Sequence, residues 1–317
     1  MKNIVLLDGK TMGDFDFNKL SELGNFENYE LSSYDEAKER IKDAHVVITN
    51  KVVLDKGTLE NAKNLELICE MATGYNNIDV EYAKSRNIAV TNVAGYSTDT
   101  VIQHTFAMLF NICNKLSYYD NYVKSGSYTK SDTFTHLEQT IMDIKDKTYG
   151  IIGLGQIGKG VAKIAEAFGA KVIYYSTSGR NSSDEYTQVT FDELLEKSDI
   201  ISIHAPLNDK TNGLINYDAM KKMKKSAILI NVGRGPIVVE TDLAKAIDEN
   251  IIGYAALDVF AVEPMKADNV LLRVENKDKL LLTPHIAWAS LEARTRLFND
   301  MMENIRAFYN GENRNRI

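Results

Sequence analysis

The chain has few residues of two kinds, with two cysteines, Cys69 and Cys113, and four prolines among 317 residues. Two thiols cannot build a disulfide framework, and each lies inside an apolar stretch, where a buried thiol in a reducing compartment is expected rather than a metal ligand. Long hydrophobic runs are also lacking. The first, residues 4–7, meets Asp8 after four apolar residues, too short for the core of a secretion signal. None reaches the roughly eighteen apolar residues of a membrane span, so a cytoplasmic protein with no membrane partner is expected. Positive charge is in deficit. With 37 Lys and Arg against 44 Asp and Glu the net charge is −7, which argues against nucleic acid as a partner while allowing a local basic pocket.

What remains is 44% hydrophobic residues, enough to bury a large core in a chain long enough for two domains. Short apolar runs at 4–7, 46–49, 67–69 and 88–91 alternate with helical patterns at 35–41, 56–62 and 79–85, which predicts a parallel sheet. A long helical stretch, 99–116, follows. After it comes a polar arm dotted with tyrosines, 117–145, without clear periodicity. Strands resume at 149–153, 171–175, 200–204, 227–231, 253–257 and 280–283, six in number, as in a complete dinucleotide-binding fold. Thr190 and Glu193 form a capping box ahead of a helix at 191–197. The last helix, 291–310, can return the chain to the first half. The predicted fold class is α/β with two doubly wound parallel-sheet domains, one formed by 1–97 with 290–317 and the other by 98–289.

Residues 150–158 read Gly-Ile-Ile-Gly-Leu-Gly-Gln-Ile-Gly, directly after an apolar run and before a helical pattern. In that context Gly153 permits a tight turn, Gly155 lets backbone approach a phosphate, and Gly158 allows close helix–strand packing. Amide groups near Gln156 and Ile157, at the positive end of the helix, would hold the anion. The position where an NAD-binding fold carries an acid for the ribose is Ser176, within Ser176-Thr177-Ser178-Gly179-Arg180. Three hydroxyls and a guanidinium would donate to a 2′-phosphate and no carboxylate would repel it, so NADP(H) is favoured, with NAD(H) possible.

All four prolines, Pro206, Pro236, Pro264 and Pro284, lie at or beyond strand ends in the second half, where open α/β sheets bind ligands. The same ends gather Asn231-Val-Gly-Arg234-Gly, Asp258 to Pro264, and Thr283-Pro284-His285-Ile286-Ala287-Trp288. The rigid fork of Arg234 suits a substrate carboxylate. His285 suits a proton donor, and Glu263 against its far nitrogen would favour the charged imidazole and keep an acid available near neutral pH. Of the other histidines, His45 and His136 are expected at the surface. His104 is expected as a packing or hydrogen-bonding group, and His204 could line a cofactor cleft or serve the structure.

In order along the chain, Ala72-Thr73-Gly74-Tyr75-Asn76-Asn77-Ile78-Asp79, Tyr96-Ser97-Thr98-Asp99, Val101-Ile102-Gln103-His104-Thr105, the glycine turn, His204-Ala205-Pro206-Leu207 with Thr211, Asn231-Val232-Gly233-Arg234-Gly235, the 258–264 segment and Pro284-His285 resemble the D-isomer-specific 2-hydroxyacid dehydrogenases. The likeness runs nearly end to end and is strongest toward the glycerate dehydrogenase, or hydroxypyruvate reductase, branch. It implies a Rossmann domain at 98–289 and a flavodoxin-like substrate domain from the remainder. It implies reduction of a small 2-keto acid, glyoxylate or hydroxypyruvate, to the D-2-hydroxy acid by Arg234, Glu263 and His285. The backbone at Thr73 and Gly74 would cradle the substrate carboxylate, and Asp258 would stand near the nicotinamide carboxamide. Val101, Thr105, His204, Ala205, Pro206, Thr211, Val232 and Gly233 would surround the cofactor. A homodimer over the crossing helix and arm is also implied. Ala94 and Val270 depart from the pattern, standing where relatives carry prolines. Two alternatives stay open: a bulkier keto acid, of phenylpyruvate or branched-chain type, and a nucleotide-sensing binding protein without turnover.

Overall fold

Strands form where aliphatic residues run together, and helices where they recur every three or four positions. The computed structural model describes every residue, Met1–Ile317, in two units: Met1–Ser97 with Ala289–Ile317, and Thr98–Trp288. The first unit runs β1 (Asn3–Leu6), β2 (Asn25–Asn28), α1 (Tyr34–Arg40), β3 (Val46–Thr49), α2 (Lys56–Leu59), β4 (Leu67–Glu70), α3 (Val80–Ser85) and β5 (Ala89–Thr91). Its five strands are parallel in the order β2-β1-β3-β4-β5. Every residue of β3 and β4 is buried, the signature of strands covered on both faces. The sequence pattern misses β2, an Asn-Phe-Glu-Asn edge strand whose polar residues carry no apolar period.

The second unit opens with α4 (Thr98–Asn114) and α5 (Leu116–Lys124). One helix over 99–116 was expected; instead Lys115 adopts a left-handed φ of 53° and separates the two. The arm is therefore partly helical, and α5 escapes a periodicity reading because none of its residues is buried. His136 is half-buried in an otherwise exposed segment. Its ring stacks on Tyr122 of α5, with centroids 3.7 Å apart and planes 2° from parallel, and its Nε2 lies 2.8 Å from the Tyr118 hydroxyl. His45 is half-buried, its Nδ1 accepting from the Asn3 amide at 3.2 Å.

Then come β6 (Thr148–Ile152), α6 (Gln156–Ala167), β7 (Lys171–Tyr175), β8 (Thr187–Gln188), α7 (Phe191–Lys197), β9 (Ile200–Ile203), α8 (Tyr217–Lys222), β10 (Ile228–Asn231), α9 (Glu240–Asp248), β11 (Tyr254–Leu257) and β12 (Leu280–Leu282). The sheet is parallel in the order β12-β11-β10-β9-β6-β7-β8, one short strand more than the six expected. Strand side chains alternate between two cores. Ile201, Ile203, Leu229 and Leu257 pack with Leu194, Met220 and Leu243, while Ile200, Ile228 and Ile230 pack with Phe106, Leu109, Val161 and Ala165. Each such side chain removed from water contributes about 1.5–3 kcal/mol. The capping box at Thr190 and Glu193 is present in both directions.

The last helix, α10 (Leu291–Tyr309), belongs to the first unit. Ser290 caps it, and Leu297, Phe298, Met301, Met302 and Ile305 are buried, with the Phe298 ring 5.1 Å from that of Phe15. Both cysteines are free and buried. Burial pushes the Cys69 thiol up to about 12 and that of Cys113 to about 11. No helix is long and apolar enough to cross a membrane.

Candidate active site

The turn between β6 and α6 uses its three glycines for three different reasons. Gly153 has φ +94°, and a Cβ there would lie 2.8 Å from the Ala205 nitrogen. A Cβ on Gly158 would come within 2.3 Å of the Gly153 carbonyl oxygen, so helix and strand need its absence. At Gly155 a Cβ would meet nothing within 4 Å; the space above the backbone is open. Gly155 is also the residue before the first helical turn, and no side chain caps it. The first amides of a helix have no acceptor within it, so those at Gln156 and Ile157 are free to receive an anion at the positive helix end. A dinucleotide pyrophosphate fits this cradle.

Past β7 the chain turns at Ser176, whose Oγ accepts from the Gly179 amide at 3.1 Å, and Ser178 Oγ accepts from Arg180 at 3.2 Å. Both hydroxyl protons stay available for donation. Thr177 is half-buried and Arg180 exposed, its guanidinium in solvent.

The chemistry-bearing segments follow β10, β11 and β12. Asn231 shapes the first: its Oδ1 accepts from Gly233 N and its Nδ2 donates to the Arg234 carbonyl, both at 3.0 Å. Arg234 Nη1 donates to the Gly233 carbonyl at 2.9 Å, leaving the rest of the guanidinium fork for other acceptors. A Cβ on Gly235 would lie 1.9 Å from the Phe260 carbonyl carbon, so only glycine lets the arginine loop press against the loop after β11. In that second loop the Phe260 amide donates to Glu263 Oε1 at 2.9 Å. The other oxygen, Oε2, meets His285 Nδ1 at 2.6 Å. With both carboxylate oxygens engaged, Glu263 fixes the imidazole and leaves Nε2 as its outward nitrogen. The two side chains are 31% and 25% exposed, partly shielded yet reachable.

His285 itself has φ +54°, a conformation that costs a non-glycine residue on the order of 1–3 kcal/mol and persists only where the surroundings over-determine it. Asp258 supplies that determination. Fully buried, it accepts through Oδ1 from Thr283 Oγ1 at 2.6 Å and Ile286 N at 2.9 Å, and through Oδ2 from Ala287 N at 2.8 Å. Its own carbonyl accepts from His285 N at 2.8 Å. Burial works against the charge, but hydrogen bonds from His104, Thr283, Ala287 and Ile286 outweigh it and hold the carboxyl below the usual carboxylate range. The carboxylate is thus held by the protein's own donors.

The other residues named from sequence have the following surroundings. Val101 is a buried core residue, and fully buried Thr105 returns its hydroxyl proton to the Val101 carbonyl at 2.8 Å. Both belong to the apolar stripe of α4. Thr211, also fully buried, donates to the Pro206 carbonyl at 2.7 Å and closes its loop. The His204 ring bonds Ser202 Oγ at 2.8 Å, and its Nδ1 is buried without a partner. Burial lowers its pKa to about 3, so the ring is neutral. Ala205 is buried against Gly153, Val232 is buried, Gly233 half-buried and Pro206 exposed. In the first unit Thr73 is exposed, with Oγ1 donating to the Val93 carbonyl at 3.1 Å, and Gly74 is half-exposed. Sequence reasoning placed Asn231 and Thr283 at strand ends but gave neither a role; their part in shaping these loops rests on contacts that a sequence pattern does not carry.

Because every strand runs the same way, the open helix end and the anchored imidazole lie along one C-terminal strand edge, the arrangement of dinucleotide-dependent oxidoreductases. The family described as D-isomer specific 2-hydroxyacid dehydrogenase, NAD binding domain, matches residues 106–287. The chain belongs to this family. It is 36% identical over 315 residues to a hydroxypyruvate reductase of Blautia hydrogenotrophica, covering 97% of each chain. Among solved structures it resembles an acyclic imino acid reductase in complex with NADPH and D-Arg (31% identity, TM-score 0.87, 99% of each chain). It also resembles an NADPH-dependent glyoxylate/hydroxypyruvate reductase of Sinorhizobium meliloti in complex with NADP and malonate (25% identity, TM-score 0.87, 100% of this chain and 96% of that one).

Proposed function

We propose that this chain reduces a small 2-keto acid, hydroxypyruvate or glyoxylate, to the D-2-hydroxy acid, using NADPH in preference to NADH. The observation that carries the reading is the His285 Nδ1–Glu263 Oε2 contact of 2.6 Å, a proton donor anchored by an acid at a strand edge. Support also comes from the hydroxypyruvate reductase at 36% identity.

The nicotinamide, when bound, supplies the hydride to the carbonyl carbon. His285 holds a proton at Nε2 and gives it to the carbonyl oxygen, and Glu263 holds the resulting neutral ring in place. Arg234 offers its free N–H groups to the substrate carboxylate and to the charge that develops on the oxygen. Thr73 and Gly74 are candidates for a carboxylate cradle through their backbone. Gly153, Gly155, Gln156, Ile157 and Gly158 hold the pyrophosphate, and Ser176, Thr177, Ser178 and Arg180 the 2′-phosphate. A homodimer is proposed on α5 and the arm, where Leu116, Val123 and Tyr128 are 56%, 54% and 41% exposed.

A panel of 2-keto acids against both reduced cofactors at matched low concentration tests this. The expected result is the highest kcat/KM for hydroxypyruvate or glyoxylate, and at least about a tenfold preference for NADPH, as charge-assisted bonds to a phosphate imply. A clear NADH preference overturns the cofactor reading. Faster turnover of phenylpyruvate overturns the substrate reading, and cofactor binding with negligible turnover of every acid favours a sensor.

A further inference from the structure

The grip on the His285 turn has one member outside the three catalytic segments. His104 sits on α4, and its Nε2 lies 3.1 Å from Thr283 Oγ1 and 3.4 Å from Asp258 Oδ1. Proton bookkeeping fixes the direction of these contacts. The single Thr283 hydroxyl proton goes to Asp258 at 2.6 Å, so toward His104 that oxygen can only accept, and Nε2 must carry the hydrogen. The donated hydrogens then run from His104 to Thr283 and from Thr283 to Asp258. Asp258 in turn receives the amides of His285, Ile286 and Ala287 on its carbonyl and two carboxylate oxygens. Three consecutive amides on one buried residue determine the turn that carries His285 at φ +54°.

We propose that His104 is a positioning residue for His285, acting through Thr283 and Asp258 on the 285–287 turn. It touches no reacting atom; it holds the acceptor side of the turn in the one arrangement that takes all three amides. Without its donor, Thr283 can rotate away and Asp258 Oδ1 loses the group that fixes its orientation. His104 makes no hydrogen bond to the glycine turn at 153–158, so binding at that turn is expected to hold in its absence. The inference rests on the reading of His285 as proton donor, but its structural half stands apart from that reading.

The test compares His104→Leu, which removes the donor, with His104→Gln, whose amide nitrogen reaches the Nε2 position. In the cofactor-free protein, His104→Leu should speed hydrogen exchange at the Ile286 and Ala287 amides by about tenfold or more relative to wild type, with Ile151 in β6 unchanged as a control for global loosening. In turnover it should lower kcat by about tenfold or more while the KM for reduced cofactor stays within about twofold. His104→Gln should recover most of both losses, and Thr283→Val should reproduce them. Unchanged exchange at 286–287 in His104→Leu overturns the proposal, as does a kcat loss without it or a Gln variant as impaired as the Leu one. If His285→Ala proves harmless to turnover while the exchange result holds, the catalytic reading fails and the pin survives.

Discussion

The two parallel sheets treat the amides at their C-terminal edges in opposite ways. In the second unit the amides after Gly155 face open space, and no side chain caps them. In the first unit loop amides at the same edge are already taken: Asp8, just after β1, accepts from Asn50 N at 3.0 Å and Lys51 N at 2.7 Å, both just after β3. One sheet leaves room for an anion and the other carries its own. On the proposed reading, dinucleotide binding depends on which backbone donors stay unclaimed, rather than on the doubly wound sheet itself. The buried acids differ as well. Asp258 has a full set of donors and stays charged. Glu70, buried at the end of β4, receives Asn77 Nδ2 at 3.0 Å on one oxygen while the other has no partner. Burial, and then the charge of Asp8, push its pKa well above the usual range.

Giving the second unit its own anion should produce the largest effect. Gly155→Asp puts a carboxylate into the open cradle, where like charge against the pyrophosphate costs several kcal/mol. Cofactor affinity by calorimetry should fall at least about a hundredfold with little change in thermal midpoint, because nothing lies near the new side chain. A change below about tenfold would mean the cradle is not where the pyrophosphate sits. The converse, Asp8→Ala, strips the acceptor from two amides in the first unit. It should destabilise by about 1–3 kcal/mol in urea unfolding, the cost of a buried unsatisfied donor, while cofactor affinity stays as it was.

A smaller, pH-dependent difference should separate the acids. Because the Glu70 pKa is raised above 4.5 on folding, its contribution is fully present below that value and is lost as pH rises through the folded-state value. Glu70→Gln should therefore gain on the wild type progressively from pH 4.5 upward in urea midpoints; a constant offset across that range would show that the acid does not change its charge on folding. Asp258 carries the opposite sign, its stabilisation being present above the ordinary 3.8 and lost as pH falls through its lowered value.

Sequence made the strands of both sheets legible because fully buried parallel strands such as β3 and β9 are unbroken aliphatic runs. The glycine turn was legible because each of its glycines answers a distinct steric demand. The edge strand β2 and the helix α5 were not, since neither buries an apolar face that could impose a period. Arg234, Glu263 and His285 could be picked out as residue types at strand ends, and the structure joins Glu263 to His285. What sequence could not show is which side chains turn inward. Asp258, Thr105, Thr211 and His204 find hydrogen-bond partners inside the protein, and partners 25 to 29 residues apart, such as Asp258 with Thr283, Ile286 and Ala287, leave no local pattern.

The central claim is that His285 delivers the proton from an acid-anchored ring. Steady-state kcat for His285→Ala with hydroxypyruvate and saturating NADPH tests it most directly, with cofactor affinity measured on the same sample. The account predicts a fall of at least about 10²-fold, the typical contribution of a general acid, with cofactor affinity unchanged. A variant that turns over within a few-fold of wild type would contradict it.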